Sequence, residues 1–111
     1  MEDPERAPPL TAIGVLSGTS SDGPKYARRR EAVRQTWAGS PPAGVEVEFV
    51  LRCGGLPSDA PERLENRVLC TRVAASEGRR RGPILALMAW LDHAPRAYPD
   101  ATFIGKASLG R

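Results

Sequence analysis

A loop of small polar residues, Ser17-Gly18-Thr19-Ser20-Ser21-Asp22-Gly23-Pro24, follows the short apolar run Ala12-Ile13-Gly14-Val15-Leu16. Residues this small let a backbone approach a ligand closely, and a loop at the carboxyl end of a strand is where open α/β sheets bind ligands. Downstream, Arg30 and Arg34 stand one helical turn apart. A guanidinium fork matches phosphate oxygens bidentately, so two of them at that spacing can clamp a diphosphate. Lys106 lies just past the apolar run Ala101-Thr102-Phe103-Ile104-Gly105. It reaches the same sheet end as the loop if the strands are parallel. The chemistry on offer is anion binding, with Ser17 and Gly18 near the ligand and Arg30, Arg34 and Lys106 supplying positive charge. The loop carries neither the GxGxxG pattern of a dinucleotide fingerprint nor the GxxxxGK[ST] of a P-loop. On the residues alone, an ordinary strand-to-helix connection and a solvated helix face stay open beside the binding site.

Those residues need elements to hold them. Tyr26, Val33 and Trp37 recur at helical spacing, which predicts a helix over 26–37 with Trp37 mostly buried as its anchor on the sheet, and with the arginine edge free. Strands are predicted at 12–16, 45–51, 67–73 and 101–105 from apolar and β-branched runs of strand length. The basic residues of the third argue for an edge position. A short helix is predicted near 62–66 with Leu64 turned inward. A longer one spans 83–93, where Ile84, Leu87, Met88 and Leu91 form a stripe against the sheet that Leu85 and Trp90 widen, and Ala94-Pro95 stops it. Strands alternating with helices predict an α/β fold, a mostly parallel sheet with flanking helices.

Length and composition set bounds. At 111 residues the chain is one domain or part of one, and its formal charge is +3. Much of the positive charge sits in Arg28-Arg29-Arg30 and Arg79-Arg80-Arg81. Such triplets suit a phosphate or acidic partner, although a solvated surface is the commoner setting. Cys53 and Cys70 are too few for a disulfide framework and are expected as buried free thiols. The single histidine, His93, has no neighbouring ligands that read as a metal site and is expected at the surface or as a cap. Residues 1–9 have the composition of a disordered leader, without a secretory signal, and no apolar run is long enough to span a bilayer, so the chain as written is expected to be soluble.

Arg30-Glu-Ala-Val33-Arg34-Gln-Thr36-Trp37 resembles the R-x-x-[IV]-R-x-T-W signature of glycosyltransferase family 31, the β-1,3-galactosyltransferase-like hexosyltransferases. The order around it is similar too, with Val47-Glu-Phe49-Val50-Leu51 placed like the family's second strand. Trp90-Leu91 and Ala101-Thr-Phe103-Ile104-Gly105-Lys106-Ala107 resemble the approach to its metal site. The likeness spans 10–107 and is thin over 54–81. It implies the amino-terminal nucleotide-binding half of a GT-A fold, a UDP-sugar donor, a glycan acceptor and a manganese ion held by a DxD-type motif. It also implies a Golgi membrane location through an anchor that is missing from this sequence. Where the family places its aspartates, this chain reads Ser108-Leu109-Gly110-Arg111, a divergent tail, so the metal ligands are absent here. The family's acceptor half and catalytic base would lie beyond Arg111. The expected function is a fragment of a hexosyltransferase, a galactosyltransferase or N-acetylglucosaminyltransferase of protein glycosylation, inactive as written. The alternatives are a small basic module that binds RNA or another polyanion, and a pseudoenzyme fragment.

Overall fold

The computed structural model describes residues 10–109; the leader and the last two residues of the tail lie outside them. Four strands, β1 (Leu10–Leu16), β2 (Val45–Gly54), β3 (Val68–Ala74) and β4 (Ala101–Ser108), form one sheet in the order β3-β2-β1-β4. Every neighbouring pair is parallel. This is the α/β architecture the sequence predicts, compatible with a Rossmann-like fold, and β3 takes the expected edge.

Helices pack on both faces of the sheet, leaving Phe103 of β4 62% exposed. Helix α1 (Lys25–Arg34) lies over one, where Val33 and Ala38 pack with Val15, Val47, Phe49 and Leu51. Helix α3 (Arg81–Ala97) lies over the other, where Ala86, Trp90 and Ala94 pack with Ala12, Leu16 and Val50. Alternation of side chains along β1 and β2 feeds the two half-cores in turn. The chain therefore passes from β1 to β2 over one face, and from β3 back across to β4 over the other. The strand order reverses between β1 and β4, and that reversal opens a crevice at the carboxyl ends of the strands.

Several expectations are corrected. Helix α1 ends three residues early, because the chain turns after Arg34: Ala38 N–H donates to the Val33 carbonyl at 3.1 Å, and Gly39 folds so closely over Arg34 that a Cβ there would lie 1.9 Å from its carbonyl oxygen. That turn carries Ala38 into the core and leaves Trp37 46% exposed. In α3 most of the stripe faces the other way, and of its four residues only Leu87 packs against the core. Ile84 and Met88 are each 60% exposed and Leu91 49%, whereas Gly82, Ala86, Trp90 and Ala94 face inward at four-residue spacing. Small residues on either side of Trp90 let the helix sit close to the sheet, and the indole fills the space between. The helix also runs through Pro95 to Ala97, since Pro95 is exposed while Ala94, beside it, is anchored in the core.

Helix α2 (Pro61–Leu64) is a single turn with Leu64 74% exposed. Glu62 points inward instead, where its Oε1 accepts the Ser20 N–H at 2.7 Å. Cys53 and Cys70 are not free thiols. They form a disulfide across the adjacent strands β2 and β3, with Cα atoms 5.2 Å apart. Parallel pairing of Leu51 with Cys70 brings residues 17 apart in sequence together, which spacing alone does not reveal. His93 is half-buried, its Nε2 3.5 Å from Glu48 Oε2, and the Tyr98 hydroxyl donates to the same oxygen at 2.7 Å. Burial first, then the Glu48 carboxylate, push the Tyr98 hydroxyl well above the usual range for a phenol, so it stays a donor. No helix among the described residues is long and apolar enough to cross a membrane.

Candidate functional site

The crevice between β1 and β4 is a cleft of about 890 Å³. Leu16, Ser17 and Gly18 at the end of β1, and Ser108 and Leu109 at the end of β4, line it. The first turn of α3 closes one side with Pro83 and Ala86, and the start of α1 closes another with Lys25 and Tyr26. Among the described residues its polar lining is mainly cationic, with Lys25, Arg52, Arg79 and Arg80 against the single carboxylate of Asp22.

Local chemistry explains why the loop holds its shape. Ser17 N–H donates to the Val50 carbonyl at 3.1 Å, which continues the ladder past the end of β1. Arg30 lies behind the loop, 1% exposed, and one guanidinium nitrogen donates to Ser17 Oγ at 3.1 Å and to the Gly18 carbonyl at 2.7 Å. The turn at Ser20–Asp22 is closed by the Thr19 N–H donating to Asp22 Oδ2, and Ser21 Oγ donates to the Ala75 carbonyl at 2.9 Å. A Cβ at Gly18 would lie 2.6 Å from the Tyr26 ring, so only glycine lets that ring lie against the loop.

A buried guanidinium must be paired. Arg30 is held by Glu65, which accepts from Nε at 3.0 Å and from Nη2 at 2.7 Å, and Arg34 donates to the same carboxylate at 2.5 Å. Burial alone would raise the Glu65 carboxyl, but the hydrogen bonds and charges of Arg30 and Arg34 outweigh it and hold it below the usual carboxylate range. Arg34 also lies over the Phe49 ring, 4.7 Å from its centroid. The arginine edge of α1 is therefore not free to meet an anion. It fastens the helix to the sheet and to the segment after α2.

Of the residues singled out by sequence, Ser17 and Gly18 line the cleft, and Arg30 braces it from behind. Arg34 is directed to Glu65 and Phe49 and does not line it. Lys106 is exposed beside Gly14, since β4 continues to Ser108 and it is Ser108 that reaches the cleft. Sequence reasoning missed Lys25 and Arg52, and gave Arg79 and Arg80 to solvent. A signal for the latter pair was present: segments after parallel strands emerge at the carboxyl end, and Arg79-Arg80 joins β3 to α3. Arg52 is a pillar of the site. Its guanidinium donates to Asp22 Oδ2 at 2.9 Å and to the Glu77 carbonyl at 2.7 Å, and α3 leans on it so closely that a Cβ at Gly82 would lie 1.8 Å from Nη1.

The chain matches no protein-family model, no curated protein and no solved structure.

Proposed function

We propose that the chain is the donor-nucleotide half of a β-1,3-galactosyltransferase-like hexosyltransferase, with the β1/β4 cleft taking the uridine diphosphate part of a UDP-sugar. The observation that carries the reading is the position of a cation-lined cleft at the strand-order reversal of a parallel sheet, the place where such sheets bind nucleotides. The signature from Arg30 to Trp37 supports it. In this reading Arg30 is the residue that fixes the nucleotide loop, and Arg34 shares its carboxylate. Tyr26, Leu16, Pro83 and Ala86 offer apolar surface to a base, and the cations meet the phosphates. The Cys53–Cys70 disulfide suits an oxidising compartment, which supports a place in the Golgi lumen with a glycan as acceptor.

Manganese, which the resemblance implies, does not fit the described residues. They contain no cluster of three His, Cys, Asp or Glu side chains able to hold a metal, and the cleft's one carboxylate is bonded to Arg52 and the Thr19 N–H. Among the described residues no further carboxylate lines the cleft to activate an acceptor hydroxyl either. The chain should bind UDP and transfer nothing from UDP-galactose or UDP-N-acetylglucosamine to a panel of acceptors. Calorimetry with UDP, ADP and a single-stranded RNA tests this. Preference for UDP over ADP, weakened in a Gly18→Val variant that displaces Tyr26, is the expected result. Steeply salt-dependent RNA binding without UDP binding would establish the polyanion module instead.

A further inference from the structure

We infer that the β1/β4 cleft neutralises a diphosphate with its own cations, chiefly Arg79 and Arg80, so that nucleotide binding by this chain does not depend on a divalent metal. The inference rests on the nucleotide reading above and goes beyond it by naming what replaces the metal.

The cleft's four cations are not equivalent. Arg52 is buried and both its terminal nitrogens are engaged, by Asp22 and by the Glu77 carbonyl, so it shapes the wall and is not available as a clamp. Lys25 stands 5.2 Å over the Tyr26 ring with its ammonium exposed. Arg79 and Arg80 are exposed and enter no ion pair among the described residues, whereas Arg81, next to them, faces Glu77 at 4.0 Å. Two adjacent, unengaged guanidinium forks at the mouth of a concave site are the arrangement that grips a multiply charged phosphate.

Two further features act in the same direction. Helix α3 begins at Arg81 with Arg80 as its cap, and its 17 aligned peptides direct the positive end of their dipole at the cleft that Pro83 lines. Asp22, the one carboxylate there among the described residues, has its Oδ2 tied to Arg52 and to the Thr19 N–H, so its repulsion of phosphates is offset and it offers a single carboxylate, already shared, to a cation. A divalent ion entering this cleft would meet unopposed positive charge. A diphosphate would find that charge already in place.

The test is calorimetric titration of the purified chain with UDP, inorganic pyrophosphate and uridine, each in EDTA and in manganese. The proteins are the parent, the double variant Arg79→Gln/Arg80→Gln, and Arg28→Gln as a control for loss of an exposed arginine outside the cleft. Both cleft arginines are exposed, so thermal melts should show the double variant folded. The inference expects UDP and pyrophosphate affinities that agree within about twofold between EDTA and manganese. It expects the double variant to weaken both by at least about tenfold, as for loss of a charge-assisted bidentate contact, and to leave uridine unchanged. Manganese-dependent UDP binding, or a double variant indistinguishable from Arg28→Gln, would overturn it while leaving the nucleotide reading intact. Pyrophosphate binding that is metal-free and arginine-dependent, with UDP no tighter, would keep the arginine site and defeat the nucleotide reading.

Discussion

The two faces of the sheet each bury an apolar cluster, but their helices are fastened by different chemistry. Under α3 the contact is apolar and tight: Trp90 is wholly buried, flanked one turn away by Ala86 and Ala94, and its one polar atom donates to the Gly105 carbonyl at 2.9 Å. Under α1 the largest buried side chain of the helix is an arginine, tied through Glu65 to a second arginine. The α3 face gains stability from area removed from water. The α1 face has its own apolar cluster around Val47, Phe49 and Leu51. The buried ion network added to it gains little net stability, because desolvation offsets most of the attraction, but it fixes one geometry for the Ser17–Gly18 loop. Both faces exclude water, and the α1 face adds the buried ion network that positions the Ser17–Gly18 loop.

The comparison is broken most severely at Trp90. Trp90→Ala should cost about 3 to 5 kcal/mol, enough to unfold a domain of this size, as read by chemical denaturation or by loss of a cooperative melt. Trp90→Phe should keep most of that stability, lacking only the indole donor and some volume.

The next effect is on the charged face. Glu65→Gln leaves the buried Arg30 without its counter-charge and should cost about 3 kcal/mol at neutral pH. The pH dependence sharpens the point. Because the Glu65 carboxyl is held below its ordinary value in the folded chain, its stabilisation is complete above the unfolded-state value and is lost as pH falls through the folded one. The parent should therefore lose stability on acidification more steeply than Glu65→Gln, and parallel acid melts of the two would show that Glu65 contributes nothing.

Reduction of the Cys53–Cys70 disulfide comes third. It closes a short loop between neighbouring strands, so dithiothreitol or a Cys53→Ala/Cys70→Ala variant should lower stability by about 2 to 3 kcal/mol. An unchanged melting temperature under reductant would show that the bridge does not constrain the unfolded chain. The smallest effect belongs to Trp37. Trp37→Ala should change stability by less than about 1 kcal/mol, a sharp contrast with Trp90.

That contrast also shows what the sequence could express. The parallel sheet, its four strands and the edge position of β3 were legible, because strand-length apolar runs separated by helix-length segments leave few topologies. The place of the Ser17–Gly18 loop at the carboxyl end of β1, where it lines the cleft, was legible for the same reason. The tryptophans were not distinguished, since both lie in helical segments with apolar neighbours, and burial was decided by a backbone turn after Arg34. In α3 the large residues misled: a helix that packs close presents its small ones, and the four-residue recurrence of Gly82, Ala86 and Ala94 around Trp90 was the better signal. Arg30 and Arg34 were read as ligand residues because their partner, Glu65, lies far along the chain and joins them only in the folded protein. The disulfide was hidden for a similar reason, being set by strand register.

Gly14 in β1 faces Trp90 so closely that a Cβ would lie 2.5 Å from the indole ring. The consequence is historical as much as structural. A side chain at position 14 cannot be accepted while the tryptophan stands, and a smaller residue at position 90 leaves a void while position 14 is glycine. The two sites are thus joined in sign epistasis, and change at either is passable in one order only: shrink position 90 first, at a loss, and let growth at position 14 recover it. Gly14→Ala should accordingly damage the parent and improve a Trp90→Leu background, so that the same methyl group is harmful in one lineage and restorative in another.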